Sequence, residues 1–270
     1  MALTNIQRDV CRVLAAQRIA SGESYVAGGA ALNTVLAASR ISRDLDLFHD
    51  TAEALQATWE ADVRSLRQAG LMVKVIRERP AYVEALVKRE TESVILEWTH
   101  DSAFRFFPLV EHPDFGLTLH PFDLATNKVL ALVGRAEVRD WIDIIQCDAF
   151  VQPFGYLVWA ASGKDPGLSP DFVLEQAGRS ARYSAEEIHA LDFAGAPPDP
   201  VALSQRWLAM TAMAASLVQV LPQKHVGTCL IHRGELYRGG LSELSRALER
   251  EEILFHAGSI RGAMPRVRPC

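Results

Sequence analysis

Two aspartates inside a short apolar stretch constrain this chain more than any other feature. Asp44 and Asp46 alternate with Leu45 and Leu47. Because successive side chains of a strand point to opposite faces, both carboxylates are predicted on one face and both leucines on the other. Neighbouring carboxylates repel each other unless a cation lies between them. Oxygen ligands of this kind suit Mg²⁺, so the pattern indicates a metal site on a strand.

A pair of glycines precedes these aspartates by a short interval. Gly28 and Gly29 follow the apolar run 25–27, and the interval 30–39 has the composition of a helix. A Gly-Gly turn lets backbone N–H groups approach a phosphate. Alone, such a pair is typical of an ordinary turn, and a lone Asp-x-Asp is typical of a solvated strand edge. In this order and spacing, the two together indicate metal-assisted chemistry on a nucleotide.

Composition narrows the class of protein. The chain has 270 residues, of which 49% are hydrophobic and 23% are charged, and its net charge is −5. These values are ordinary for a globular protein, and the acidic balance excludes a general binder of polyanions. Any nucleic-acid contact must therefore use a local basic patch. Two clusters are candidates, both interpreted as solvated surface: Arg77, Arg79, Lys88 and Arg89, and Arg261, Arg266 and Arg268.

The cysteines and the apolar stretches predict a cytoplasmic protein without a membrane partner. Cys11, Cys147, Cys229 and Cys270 are scattered and form no C-x-x-C pair, which argues against a zinc site or a disulfide framework and favours a reducing compartment. The N-terminus lacks the apolar segment of a signal peptide. The most apolar stretch, 208–221, is too short to span a bilayer.

Hydrophobic periodicity predicts an α+β N-terminal domain, 1–150. Beyond about 150 the composition changes and Pro and Gly cluster, which predicts a mainly helical C-terminal domain, 151–270; the alternative is a C-terminal part that simply packs on the first domain. In the first, helices are predicted over 3–21, 30–39, 51–69, 121–132 and 137–147, and strands over 24–27, 44–49, 71–78, 82–88 and 93–99. Short polar connections between the last three strands favour antiparallel neighbours. In the second, helices are predicted over 171–176, 185–191 and 200–221, with a hairpin over 227–237.

The glycines and aspartates together resemble the nucleotidyltransferase superfamily related to DNA polymerase beta. A closer resemblance is to the AbiEii/AbiGii toxin family, and it lies in segments 27–32, 40–48, 122–132 and 139–143 and in Arg135. The resemblance covers roughly residues 20 to 150. It implies a polymerase-beta-like domain with a mixed or antiparallel sheet, followed by a mainly helical part.

The superfamily's third carboxylate lies on a strand beside the Asp-x-Asp strand, and Glu97 is the best candidate for it. Glu97 interrupts an apolar run in which Val94, Leu96 and Trp98 are predicted to point to the opposite face. Burying a carboxylate there is costly without a partner, which a metal would supply. The alternatives are a glutamate on an edge strand facing water, or Asp101 as the third ligand.

The resemblance also assigns nucleotide contacts. It gives Lys128 a triphosphate-binding role, in which the cation would neutralise charge on the phosphates and the leaving pyrophosphate. The alternative is a lysine that extends to the helix surface. Asp140 and Asp143 share a helix face and would hold Lys128 or Arg135, or contact the base or ribose; Asp140 alone is also typical of a helix N-terminus.

Two further residues precede the aspartate strand, and the implied chemistry follows from the whole set. Ser42 is predicted to fix the loop by a local hydrogen bond, and Arg43 to meet a phosphate. The family implies transfer of a nucleotidyl group from an NTP to a hydroxyl, with two Mg²⁺ ions held by Asp44, Asp46 and Glu97. It further implies a toxin that acts on RNA, often tRNA, and a separate antitoxin protein. A small-molecule nucleotidyltransferase of the aminoglycoside-modifying kind and a non-catalytic binding module remain alternatives.

Overall fold

The computed structural model describes residues 3–179 and 183–266, so Arg268 and Cys270 lie outside the described residues. Packing divides the chain into two compact units. The first comprises 1–103, 108–120 and the short segment 192–195, and the second comprises 104–107, 121–191 and 196–270. These units do not divide at residue 150, because the helices over 121–150 pack with later helices. The division into domains 1–150 and 151–270 stays a prediction.

The first unit is a mixed sheet with three helices. Its helices are α1 (Asn5–Ser21), α2 (Gly28–Val35) and α3 (Ala52–Gln68). Its strands are β1 (Tyr25–Ala27), β2 (Asp44–His49), β3 (Met72–Arg79), β4 (Tyr82–Arg89), β5 (Glu92–His100), β7 (Val110–His112) and β8 (Gly116–Thr118), while β6 (Phe104–Arg105) belongs to the second unit.

Strand order in this sheet is β3-β4-β5-β2-β1-β8-β7. The pairs β2–β5 and β1–β8 are parallel and the others are antiparallel, which confirms the predicted α+β class with a mixed sheet. The antiparallel order of β3, β4 and β5 is also confirmed. Strands β7 and β8 were not predicted, because each has only three residues and therefore shows no periodicity. Strand β1 is equally short, but it is marked by the Gly-Gly pair that follows it.

One face of the sheet is the core of the unit. Leu45 and Leu47 of β2 are 1% exposed, and Leu96 and Trp98 of β5 are fully buried. Helices α1 and α3 pack on these strands. The alternate residues of β2 and β5, which include the predicted site carboxylates, are only partly covered. The amphipathic strands therefore place apolar side chains under the helices and polar side chains on the opposite face.

The second unit is mainly helical, as predicted. Its helices are α4 (Pro121–Arg135), α5 (Val138–Phe150), α6 (Phe154–Ala161), α7 (Pro170–Arg179), α8 (Ala185–His189), α9 (Pro200–Val220) and α10 (Leu241–Glu249). Its remaining strands are β9 (Thr228–His232), β10 (Glu235–Leu236), β11 (Leu254–Ala257) and β12 (Ser259–Ile260), and a 3-10 turn spans Gln223–His225.

The predicted hairpin is present as β9 and β10, which pair antiparallel around Arg233 and Gly234. Both turn residues have positive φ, at 52° and 86°, as a tight hairpin requires. Helix α6 was not predicted. All eight of its residues are buried, so it has no polar face from which a period could be read. Among the described residues, no helix has both the length and the apolarity needed to cross a membrane.

Candidate functional site

Gly28 lies directly against the carboxylate of Asp46. Ala27 at the end of β1 is the register partner of Asp46 on β2, so the next residue turns over the aspartate. Gly28 has φ +66°, and a Cβ there would overlap Oδ2 of Asp46. Only glycine satisfies both the backbone angle and the space.

The two glycines begin a helix rather than form a separate turn before it. The prediction of a Gly-Gly turn followed by a helix over 30–39 is wrong in its bounds, since α2 spans Gly28–Val35. Ala27 caps this helix without a side-chain hydrogen bond. The first N–H groups of a helix have no intrahelical acceptor and carry partial positive charge, so this is the kind of backbone that approaches phosphates.

Gly29 is packed against the loop that leads to β2. A Cβ there would lie 2.7 Å from Nη2 of Arg40 and 3.0 Å from Oγ of Ser42. Both of these side chains are buried. The glycine pair therefore lets α2 start close to the aspartate strand and to its preceding loop.

The aspartates of β2 have the predicted alternation. Asp44 and Asp46 are partly exposed, and the residues between and after them are buried. Both carboxylates thus lie on the face of the sheet opposite α1 and α3.

Glu97 is the direct neighbour of Asp46 across the parallel β2–β5 pair. Residues in register on adjacent strands share a face, so Glu97 lies on the same face as both aspartates. The predicted placement of a third carboxylate beside the Asp-x-Asp strand therefore agrees with the sheet. The rival, Asp101, follows the end of β5, and its Oδ1 accepts a hydrogen bond from the backbone of Ser102 at 2.7 Å.

Tyr82 at the start of β4 is a further member of this face. Its hydroxyl donates a hydrogen bond to the carboxylate of Glu97. Burial raises the pKa of Tyr82 well above its ordinary value, and the negative charge of Glu97 and this hydrogen bond raise it further. Tyr82 is thus a neutral hydrogen-bond donor beside Glu97. Sequence reasoning missed Tyr82, although its even spacing from Glu84 on the same strand was an available signal.

The three carboxylates do not form a ready-made metal cage. Within residues 3–179 and 183–266, no three histidine, cysteine, aspartate or glutamate side chains are arranged so that they could hold a metal ion. The joint ligation by Asp44, Asp46 and Glu97 therefore stays a prediction. Mg²⁺ is commonly held by one or two carboxylates together with substrate phosphates, so a cage made only of protein ligands is not required.

The loop before β2 is fixed by contacts from distant parts of the chain. The backbone carbonyl of Ser42 accepts a hydrogen bond from Nε2 of Gln7 at 2.7 Å. Nε of Arg43 lies 2.6 Å from Oδ2 of Asp192. Segment 192–195 also bonds the loop backbone, with Ile41 N donating to Asp192 O at 2.8 Å. Sequence reasoning missed Asp192, because nothing local links it to Arg43, 149 positions away.

In the second unit, Lys128 of α4 lies between two aspartates of α5. Its Nζ is 2.7 Å from Oδ1 of Asp140 and 3.0 Å from Oδ2 of Asp143. Both aspartate side chains are fully buried and the lysine side chain is 7% exposed, so the alternative of a lysine extended to the helix surface is wrong. Arg135 also donates to Asp140, at 2.7 and 2.9 Å.

One of the predicted options is present in these contacts: both aspartates bond Lys128, and Asp140 also bonds Arg135. Burial tends to raise the pKa of Asp140, but the hydrogen bonds and positive charges of Arg135 and Lys128 outweigh it, and the pKa lies below its ordinary value. Asp140 is therefore ionised and compensated. The cluster joins α4 to α5 as an internal ion-pair network.

Comparison with known proteins agrees with this architecture. No protein-family model matches the sequence, and no curated protein matches it significantly. Among solved structures, a protein from H. pylori assigned as a nucleotidyltransferase superposes with a TM-score of 0.53 at 14% identity, over 81% of this chain and 97% of that chain. MenT4, a nucleotidyltransferase toxin from Mycobacterium tuberculosis, superposes with a TM-score of 0.52 at 18% identity, over 81% and 83%. The chain has the fold of these nucleotidyltransferases.

Proposed function

We propose that this protein is an enzyme that transfers a nucleotidyl group from an NTP to a hydroxyl of RNA, with tRNA as the expected acceptor. One observation carries the proposal. Asp46 is in parallel register with Glu97, shares its face with Asp44 and adjoins Gly28, where no side chain fits. Acidic oxygens thus lie beside a helix start that suits phosphates.

The donor set fits Mg²⁺. Carboxylate oxygens are hard ligands, and Asp44 and Asp46 on one strand face supply two of them, leaving the remaining positions for phosphate oxygens and Glu97. When bound, Mg²⁺ would neutralise the triphosphate and lower the pKa of the acceptor hydroxyl. The fit depends on the partial exposure of Asp44 and Asp46, because a metal with bound phosphates could not reach fully buried carboxylates.

The chain's own groups have distinct tasks in this proposal. Gly28 and Gly29 let α2 start directly against Asp46 and the loop before β2, so that the first N–H groups of the helix would meet the triphosphate beside the acidic oxygens. Tyr82 would help to position Glu97 through its hydroxyl. Ser42 and Arg43 belong to the loop before the aspartates, where Arg43 would exchange its exposed ion pair with Asp192 for a phosphate.

We keep Lys128, Asp140 and Asp143 in the proposal as nucleotide-binding residues. The two aspartates fix the ammonium group of Lys128, and the small exposed fraction of the lysine is the part that would meet a phosphate. The compensation by Asp140 makes this contact weaker than one made by an isolated lysine.

The biological role in the proposal is that of a cytoplasmic toxin neutralised by an antitoxin protein. It is supported by the family resemblance of the sequence and by the likeness of fold to a nucleotidyltransferase toxin. Cys11, Cys147 and Cys229 are buried free thiols, which suits a reducing compartment.

The test is incubation of the protein with each labelled NTP, Mg²⁺ and total bacterial RNA, with a parallel reaction on a metabolite pool. The expected result is a labelled RNA that disappears when EDTA removes the metal. A labelled small molecule in place of RNA would indicate the aminoglycoside-modifying kind of enzyme. No labelled product from any NTP would contradict the enzymatic proposal and favour a binding module.

A further inference from the structure

A row of basic side chains lies along the edge of the large sheet. Lys74, Arg77 and Arg79 are exposed residues of β3, the first strand in the sheet order. Lys74 and Arg77 are three positions apart. In a regular strand this odd spacing would send them to opposite faces, because side chains alternate.

A β-bulge removes that conflict. The pairing of β3 with β4 shifts register between Val75 and Arg77, so that Ile76 is the extra residue. After the shift, Arg77 lies opposite Glu84 and Arg79 opposite Tyr82. Bulges re-aim side chains and are features rather than defects of a sheet.

The register shows that the basic residues share one face. Lys74, Arg77 and Arg79 of β3 lie opposite three residues of β4, which are Leu86, Glu84 and Tyr82. Lys88, which is also on β4, lies opposite Met72 of β3. Residues 82, 84, 86 and 88 alternate along β4, so they and their partners are on one side of the sheet. We call Lys74, Arg77, Arg79 and Lys88 the basic ridge.

This is also the face that carries the acidic site. Glu84 is in register with Glu97 on β5, and Glu97 is in register with Asp46 on β2. Three strand spacings of roughly 4.8 Å separate β3 from β2, so the ridge runs about 14 Å from the aspartates. Arg77 is 3.8 Å from Glu84 and its side chain is still 54% exposed, which leaves it able to accept a second anion.

Charges on an edge strand also discourage pairing with another sheet. Preventing such pairing does not require the charges to share one face, because a charged side chain on either face of the edge strand has this effect. Arg89, at the end of β4, shows the contrast: it lies off this face and is paired with Asp9 of α1. The bulge brings these cations to a common face, an arrangement that suits a ligand contacting several cations at once.

We propose that the basic ridge binds the phosphodiester backbone of the RNA acceptor and leads its terminal hydroxyl to Asp46 and Glu97. The inference rests on the proposed function and deepens it, because it selects a polymeric acceptor over a small molecule. Several regularly spaced anions match several cations in a row. Because the net charge of the whole chain is −5, attraction of a polyanion needs a local basic surface such as the ridge.

The test compares Arg77→Gln/Arg79→Gln with the matched control Arg12→Gln/Arg64→Gln, which removes the same charge from exposed positions of α1 and α3. Filter binding measures the Kd of labelled unfractionated bacterial tRNA at 50, 100 and 200 mM salt. In the ridge variant, affinity should fall roughly tenfold and the slope of log K against log salt by about 1.5, the value for two lost phosphate contacts. The control should match the wild type.

A ridge variant that binds tRNA with the affinity and salt slope of the control would overturn the inference, as would a wild type that binds no tRNA at 50 mM salt. Lys74→Gln provides a second reading and should lower the slope by about half as much. Transfer of label from NTP is followed separately. If the wild type labels tRNA but the ridge variant binds tRNA as well as the wild type does, the ridge inference fails and the enzymatic proposal stands. If binding depends on the ridge but no tRNA is labelled, only the enzymatic proposal is contradicted.

Discussion

The molecule has two pairs of aspartates, and their surroundings differ in almost every respect. Asp44 and Asp46 are two apart on a strand and partly exposed. Asp140 and Asp143 are three apart on a helix and fully buried, with Nζ of Lys128 within 3.0 Å of both. Each spacing places its pair on one face of its own element, with period two in the strand and 3.6 in the helix.

The difference teaches how to separate carboxylates that hold the protein together from those that can take a ligand. A buried carboxylate must be compensated by the protein itself, because desolvation of an unpaired charge is costly. The charge of a partly exposed carboxylate, such as one beside a glycine that admits no side chain, can instead be compensated by a bound cation. We therefore expect substitutions at the first pair to affect chemistry and substitutions at the second to affect stability.

Asp46→Asn should have the largest effect on chemistry. The amide keeps the shape of the side chain but removes the charge that would hold Mg²⁺, so transfer should fall at least about 10³-fold. The measurement is incorporation of labelled NMP into RNA, with thermal unfolding as a check that the fold persists. Full activity in Asp46→Asn would remove the contrast between the two pairs.

Lys128→Met should have the largest effect on stability. It leaves Asp140 and Asp143 buried with less compensation, and breaking a buried ion pair in this way costs about 3–5 kcal/mol. Urea unfolding measures the free energy of unfolding. The control is Arg43→Gln, which breaks an ion pair whose arginine side chain is 71% exposed and should cost below about 1 kcal/mol. Equal losses in both variants would refute the structural role of the cluster.

Asp62 is a carboxylate whose compensation is incomplete. It is 3% exposed and accepts a hydrogen bond from Nε1 of Trp98 at 2.9 Å. Burial nevertheless raises its pKa from 3.8 to about 6, against the hydrogen bond from Trp98 and the charge of Arg18. Because the folded pKa is the higher one, the stability it contributes is present below pH 3.8 and is lost as pH rises through 6.

Asp62→Asn removes this dependence while keeping an oxygen for Trp98. Between pH 4 and pH 7, the wild type should therefore lose up to about 3 kcal/mol of unfolding free energy relative to the variant. Comparison with the variant at each pH also cancels the contribution of buried His49, whose pKa burial lowers to about 4. If the difference in unfolding free energy between the wild type and Asp62→Asn is constant across this pH range, the charge of Asp62 is as well compensated as that of Asp140.

Gly28→Ala should cost about 1–2 kcal/mol of stability for the positive φ, which is less than the loss expected for Lys128→Met. The loss of activity should be the larger effect, because the new methyl group displaces the Asp46 carboxylate. Gly134→Ala is the matched control. Gly134 lies within α4 with open space around it, so the same change should stabilise by about 0.5–1 kcal/mol. Activity of Gly28→Ala equal to that of Gly134→Ala would contradict a site at Asp46.

The sequence predicted those parts of the site that depend on local periodicity. The bounds of β2 and the partial exposure of Asp44 and Asp46 follow from strict alternation. The place of Glu97 also agrees with prediction, since an acidic residue within an apolar strand stands out. The helical relation of Asp140 to Asp143 follows in the same way from a period of 3.6.

What the sequence did not predict depends on long-range pairing. The register that sets Glu97 beside Asp46 joins residues 51 positions apart. The hydrogen bond of Tyr82 to Glu97 depends on a second register, the one between β4 and β5. The bulge at Ile76 has no marker such as glycine, so regular alternation would place Arg77 on the wrong face. The start of α2 differs from the prediction because a Gly-Gly pair is typical of a turn. Here Gly28 packs against Asp46 and Gly29 against Arg40 and Ser42, which allows the helix to begin at once.

The return of residues 192–195 to the first unit has a consequence for the order in which the protein is made. Ala194 donates its backbone N–H to Ser39 at 2.7 Å, and Phe193 forms a bridge with Arg40. On the ribosome, the strand with the aspartates emerges long before this segment does. The contacts of the loop beside the aspartates can therefore form only after more than half of the remaining chain has been synthesised. A nascent protein would form its sheet early and complete this loop late.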